Sequence, residues 1–294
     1  MAKRWGKLRG RPNTSASDVR ADSVLEDPGR APPADVKEQL RREVNFGCPV
    51  EDCGAPYLTW HHFDPPWSRE HHHRPEGMIA LCSTHAAQAD GDRWTNEQLR
   101  GLKAHPFVTT ESITEFYGYL RRNVVCRLGS IITADVVYVL NSNRGPVVYF
   151  RKDGDGYDRL NLAISSPSGS PILKMEDNWW TVNPRNLFDL ECSARGRTLH
   201  IRSNDGSTDF TMRFDDLQID QFSTELEQAG FSKRATDLLL KEIESPATVP
   251  VWSLTGSLFT GGINVRMTPG ITYVGSTVIH NGLSIKCETG LMIS

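Results

Sequence analysis

The placement of cysteines and histidines constrains this chain more than any other feature. Six of the nine histidines, His61, His62, His71, His72, His73 and His85, fall between positions 61 and 85. Cys48 and Cys53 form one close pair of potential ligands, and Cys82 and His85 form a second, with 28 residues between the pairs. Two short-spaced pairs let each turn present two donors to one tetrahedral ion, the geometry that Zn²⁺ accepts, and four protein ligands close its shell. The spacing therefore predicts a structural zinc site; the alternative is a set of buried free cysteines beside a surface histidine. A segment this short and this poor in apolar residues needs such a staple, which supplies ~10–16 kcal/mol of folding free energy in small peptides. Metal-type cysteine spacing without a disulfide framework points to a reducing, cytoplasmic compartment.

A length of 294 residues suits more than one domain, and 38% apolar with 23% charged residues is a composition that builds a core. The net charge of −3 excludes a global basic field, so any nucleic-acid footprint has to be local. One local footprint is present: Lys3, Arg4, Lys7, Arg9, Arg11 and Arg20 face a single acid, Asp18, across the first twenty residues. Residues 1–36 read as a mobile basic arm, either a solvated tail or a phosphate-grasping segment. No run approaches ~18 consecutive apolar residues, which excludes a membrane-spanning helix and a membrane partner. The basic start has no apolar stretch of the secretory kind, so no signal peptide is expected.

Along the chain, Asp35 reads as an N-cap with Glu38 completing a capping box, and Thr95 opens a helix that Pro106 stops. Residues 37–105 form the His/Cys-rich module, and residues 106–128 are expected to hold a linking helix, from about Glu111 to Arg122. Beyond it the texture becomes alternation and turns. Val136–Leu140, Val147–Phe150, Leu160–Ile164, Ile172–Met175, Thr198–Ile201 and Phe210–Phe214 read as strands separated by Gly-, Asn- and Asp-rich turns. Residues near 221–245 look helical, and the last forty could stack as short turns of a β-solenoid. The fold class expected is α+β: a small zinc-stapled module followed by a larger mostly-β domain over 129–294, as a sandwich or rolled sheet. Trp179 and Trp180 read as core anchors or as a recognition surface, and Cys126, Cys192 and Cys287 as buried small apolar residues on strands.

Between the two ligand pairs, Leu58-Thr59-Trp60-His61-His62 reads as a strand ending in adjacent histidines that point to opposite faces. One of them can bind a metal while the other remains free to take a proton. Gly77-Met78-Ile79-Ala80-Leu81-Cys82 follows and runs into the second ligand pair. Over about residues 44–104 this pattern resembles the HNH (ββα-metal) endonuclease family, in the subset with a Gly-Met-Ile-Ala-Leu-Cys strand. The resemblance implies a ββα-metal module with His62 as general base and His61 as a ligand of a catalytic Mg²⁺ or Mn²⁺. Ala86 and Asp90 fall where the family has two further metal ligands, so Asp90 is expected to ligate, and His72 or His73 could substitute for the missing one. His71 to His73 read equally well as an exposed polar loop. Gly77 stands where the family's Asn orients the base. Arg69 and Arg74 are the expected phosphate-binding residues.

The expected function is metal-dependent hydrolysis of DNA phosphodiesters by a regulated bacterial anti-phage defence effector. The β-rich domain would then sense a trigger, clamp a separate recognition protein such as a guide-binding partner, or mediate self-assembly. The rival is a non-catalytic zinc-stapled module that binds nucleic acid or protein, which Gly77 and Ala86 favour and the intact His61-His62 pair opposes.

Overall fold

The computed structural model describes residues 29–108, 112–243, 247–260 and 262–293. The basic residues from Lys3 to Arg20 lie outside the described residues, but the end of the expected arm is described and is not free: Gly29 meets His73, Arg30 lines a cavity of the module, and the first helix begins at Ala34. The described chain begins with Gly29 to Pro33 and then α1 (Ala34–Glu43), β1 (Leu58–His62), β2 (Met78–Cys82), α2 (Ser83–Asp90) and α3 (Asn96–Ala104). β1 and β2 are antiparallel, with His61 opposite Ile79 and His62 opposite Met78. All five β2 residues are buried, because α1, α2 and α3 pack against this two-stranded sheet. Leu40, Val44, Leu58, Leu81 and Leu99 join Met78 and Ile79 in its core.

Thr95 forms the expected cap, its hydroxyl accepting from Gln98 N–H while the Gln98 side chain accepts from Thr95 N–H. The box expected at Asp35 does not form. α1 begins at Ala34 after Pro33, Asp35 lies within its first turn, and Glu38 pairs instead with Arg202. A guanidinium outcompetes a cap N–H for a carboxylate, since charge-assisted hydrogen bonds are the stronger kind.

The rest of the chain is dominated by strands. They run β3 (Ile113–Phe116), β4 (Val125–Leu128), β5 (Ile131–Ala134), β6 (Tyr138–Ser142), β7 (Gly145–Lys152), β8 (Asp158–Ser165) and β9 (Pro171–Glu176). Next come β10 (Trp179–Val182), β11 (Leu187–Cys192), β12 (Thr198–Ser203) and β13 (Asp209–Gln218), followed by helices α4 (Ile219–Gln228) and α5 (Lys233–Ile243). The described chain closes with β14 (Thr248–Thr260), β15 (Ile263–Met267), β16 (Thr272–Val274), β17 (Thr277–Ile279), β18 (Gly282–Ile285) and β19 (Thr289–Ile293). Among the described residues, one sheet has the order β19-β6-β7-β8-β9-β10-β3. The other runs β11 to β17 in sequence order through β13, β14 and β15, with β4, β5 and β18 joined beside it. Trp180 and Leu160 of the first sheet share one core with Phe214 and Trp252 of the second, so the two pack face to face. Large sheets beside helices make the protein a mixed α+β structure.

Alternation sets both faces of the second sheet. Cys126, Leu128, Trp252 and Leu254 enter the shared core, while Val125, Ile132, Ala134 and Val251 face the α4 and α5 residues Phe222, Leu226 and Leu239. The same period separates the two tryptophans: Trp180 is 1% exposed in the core and Trp179 is 56% exposed.

Several sequence expectations are corrected here. The linking helix does not form: Ile113–Phe116 is an edge strand paired with β10, and Val125–Leu128 is another strand. The β-branched and aromatic residues Ile113, Thr114 and Phe116 complete an open sheet edge, which outweighs weak helical periodicity. The stretch near 221–245 is helical as expected, as two helices that break at Gly230, whose φ of 90° no α-helix accommodates. The closing segment is not a solenoid of its own. β14 to β17 form an antiparallel meander, and β18 and β19 then pair in parallel with β5 and β6, one arch stacked on another. Cys126 and Cys192 are buried on strands as expected, whereas Cys287 is exposed between β18 and β19.

The His/Cys-rich module docks on the β-rich part through α1. Arg41 donates two hydrogen bonds to Asp189 of β11, at 2.9 and 2.7 Å, with side chains 6% and 3% exposed. Arg42 and Arg202 flank the Phe188 ring, with guanidinium carbons 4.9 and 4.8 Å from its centroid.

Candidate functional site

Cys48, Cys53, Cys82 and His85 converge, their ligand atoms all within 4.8 Å of one another. Cys82 is the N-cap of α2 and its Sγ accepts the backbone N–H of His85, so the helix start sets the second ligand pair. Sγ of Cys53 lies 3.8 Å from Sγ of Cys82, and Nδ1 of His85 lies 3.2 and 3.4 Å from Sγ of Cys48 and Cys82. A tetrahedral zinc with bonds of about 2.3 Å to sulfur sets sulfur–sulfur edges of about 3.8 Å and slightly shorter sulfur–nitrogen edges. The cluster fits such an ion and could hold it. Burial pushes the Cys48 thiol up to about 12 and also raises Cys53, an arrangement that favours thiolates only beside a cation.

On the other side of α2, the last residue of the helix meets β1: His61 Nδ1 lies 3.0 Å from Asp90 Oδ1, with side chains 10% and 67% exposed. Burial lowers the His61 pKa, and the Asp90 carboxylate opposes that shift. Adjacent ligands at about 2.1 Å on an octahedral ion stand about 3.0 Å apart, so the pair has the spacing of two cis ligands as well as of a hydrogen bond. Ala86, one turn before Asp90, has no ligand atom. Both helix residues line a cavity of about 530 Å³ together with His61, His62, Trp60 and Trp67. Among the described residues, Cys48, Cys53, Cys82 and His85 are the one group of three or more side chains placed to share an ion. His61 and Asp90 thus offer two donor atoms without a third among the described residues.

His62 is 8% exposed and its Nε2 is buried without a hydrogen-bond partner among the described residues. Burial lowers its pKa to about 4, with His72, His73 and Arg30 adding to the effect and a backbone hydrogen bond with His72 opposing it. The ring is neutral at pH 7, the state a base requires. It sits against Trp67, His72 and His73, with centroids 4.8, 5.3 and 5.8 Å away.

The expected substitute ligands are placed otherwise. His72 Nδ1 accepts the Arg74 N–H at 3.1 Å and Nε2 meets the Pro65 carbonyl at 2.9 Å, which occupies both nitrogens. His73 Nε2 meets the Gly29 carbonyl at 2.8 Å. Both rings therefore support the His62 side of the strand and not the His61–Asp90 pair. His71 stacks on Trp67 with centroids 4.4 Å apart. Arg69 and Arg74 do not line the cavity; Arg74 pairs with Glu70 on the surface. The cation that does line it is Arg30, just ahead of α1, and Asp92, in the turn after α2, lines it too. Sequence reading missed both, because neither lies within a ligand-like spacing; only the folding of the segment before α1 over the module brings Arg30 to His62.

Gly77 has a physical reason. A Cβ there would stand 2.0 Å from the Asp64 carbonyl oxygen and 3.0 Å from His72 Cε1. Its own carbonyl accepts from Phe63 N–H and Asp64 N–H, so the loop after β1 closes directly over it. No described helix is long and apolar enough to cross a membrane. No protein-family model, no curated protein and no solved structure matches this chain.

Proposed function

We propose that the protein is a metal-dependent endonuclease of the HNH type that hydrolyses DNA phosphodiester bonds. The observation that carries this reading is the pairing of His61 with Asp90 at 3.0 Å, beside a neutral, buried His62 and a Cys₃His cluster. His62 takes a proton from the attacking water, and Arg30, the cation at the cavity, holds a phosphate oxygen. A Mg²⁺ or Mn²⁺ held by His61 and Asp90 would supply charge stabilisation at the phosphate and the leaving 3′ oxygen. Zinc at Cys48, Cys53, Cys82 and His85 would be structural. In this reading the β-rich part controls a toxic activity, by sensing a trigger, by holding a recognition protein, or by assembling copies of itself, as a bacterial cytoplasmic defence effector would require.

A second reading, a non-catalytic zinc-stapled binding module, is favoured by one observation: Ala86 and the occupied nitrogens of His72 leave His61 and Asp90 without a third protein ligand. Nicking of supercoiled plasmid across a Mg²⁺ and Mn²⁺ titration separates the two, alongside gel shifts at two salt concentrations. The wild type is expected to nick, and His62→Ala to lose ~10²–10⁴-fold in rate while keeping its fold. Asp90→Asn should need more metal, and Arg30→Ala should slow cleavage where Arg69→Ala does not. A wild type that is silent alone is assayed again with the products of neighbouring genes. DNA binding without cleavage under every condition establishes the second reading.

A further inference from the structure

Two buried imidazole nitrogens close to the cavity have no partner among the described residues: His62 Nε2 and His73 Nδ1. Their rings are 5.8 Å apart between centroids and tilted by 47°. The hydrogen bond at the far side of His73 decides what its free nitrogen can do. A carbonyl oxygen only accepts, so His73 Nε2 carries the proton that it gives to Gly29 O at 2.8 Å. In the neutral ring Nδ1 then holds a lone pair. Such an acceptor, buried and left unmatched, costs free energy that one small donor recovers. His72 cannot be that donor, because its Nδ1 accepts from Arg74 N–H and its Nε2 serves Pro65 O.

We propose that His73 Nδ1 and His62 Nε2 together hold the attacking water, which makes His73 a second catalytic residue of the proposed nuclease. The water has two O–H groups; it donates one to each lone pair, which turns its own lone pair towards the cavity. Two acceptors fix its orientation where one would leave it free to rotate about a single bond. As its oxygen bonds to phosphorus, the proton on the His62 side passes to Nε2. The bond from phosphorus to the 3′ oxygen breaks with its electron pair on that oxygen, which takes a proton from solvent. His73 keeps its Nε2 proton throughout. This places His73 on the nucleophile and not on the metal, and it gives the Gly29 carbonyl a task, that of setting the His73 tautomer.

The proposal rests on the nuclease reading, and two measurements on the full chain keep their failures apart. Long-range ¹H–¹⁵N correlation on histidine-labelled, zinc-loaded protein reads the tautomers near pH 7. His73 should be protonated at Nε2 and His62 unprotonated at Nε2; a proton on Nδ1 of His73 or on Nε2 of His62 overturns the assignment whatever the activity. In plasmid nicking, His73→Phe keeps a ring against Trp67 and removes the acceptor. It should lower kcat on the order of 10²-fold with KM changed by less than about twofold. His73→Asn, whose Oδ1 can replace the accepting nitrogen, should recover part of that loss. Equal kcat for His73→Phe and wild type overturns the proposal while the nuclease stands. Tautomers as assigned in a wild type that never cleaves overturn the nucleophile role and the nuclease reading together.

Discussion

Gly77 shows how one residue can look like a lost function in sequence and be a packing requirement in structure. The family's Asn cannot be accommodated there, because the Asp64 carbonyl lies 2.0 Å from where its Cβ would stand. The space beside His62 is filled from the loop instead, by His72 and His73. Introducing that Asn should therefore fail. Gly77→Asn is expected to destabilise by about 1–3 kcal/mol, the usual cost of overpacking a closed site, and to give no gain in nicking. Chemical denaturation of the variant measures this, and a variant as stable as wild type would show that the loop yields. The same loop turns the two histidines expected as substitute ligands towards His62: each meets a backbone carbonyl, at 2.9 Å for His72 and 2.8 Å for His73, and His72 has both nitrogens occupied.

At the scale of elements, β2 and α2 connect the two candidate centres. Cys82 ends the strand, caps the helix and enters the cluster, and Asp90 ends the same helix opposite His61. A helix of 8 residues cannot hold that position by its own propensity. Packing on β2 fixes it, and a zinc at the Cys82 end would fix it further, so in the proposed reading loss of the metal should displace Asp90 as well. Cys82→Ser, or a strong chelator, is expected to unfold the module spanning β1 to α3 and leave the β-rich part folded. Hydrogen exchange over residues 48–104 reads this, together with metal analysis that should find about one tightly held zinc per chain. A zinc-free preparation with a protected module would refute the structural site.

For the whole molecule, the buried contact between α1 and β11 determines how the module sits on the β-rich part. Arg41 and Asp189 are both nearly sealed from water, with Arg202 3.3 Å from the same carboxylate. Removing one member of such a pair leaves a charge buried without its partner, a loss of ~3–5 kcal/mol. Asp189→Ala should cost that much and let the module unfold ahead of the sheets, seen as two transitions in urea by probes placed in each part. A cost below about 1 kcal/mol, the range of exposed pairs, would mean that the remaining contacts, Glu38 with Arg202, Arg41 with Glu191 and the packing of Phe46 and Tyr57, hold the dock. Trp60, which shares the cavity with His61, lies under Arg41 at 5.9 Å, so the dock ends one residue from the candidate metal pair.

The local chemistry of the module was legible in the sequence because it depends on short spacings. Cys48-x4-Cys53 and Cys82-x2-His85 announce a cluster, and the alternation of His61 and His62 sends neighbours to opposite sides of one strand. Thr95 announced its cap in the same way, and the partner that completes it, Gln98, lies within one turn of helix. What the sequence could not carry were outcomes decided by competition between distant segments. Ile113–Phe116 became a strand because β10 offered an open edge, Glu38 left its cap because Arg202 reached it, and β18 and β19 stacked on strands about 150 residues earlier. Arg30 and the tautomer of His73 belong to the same kind, since both depend on where the segment at Gly29 crosses the module. A ligand spacing is a property of the backbone over a few residues, whereas a partner for a charge or a sheet edge exists only once the whole chain has folded.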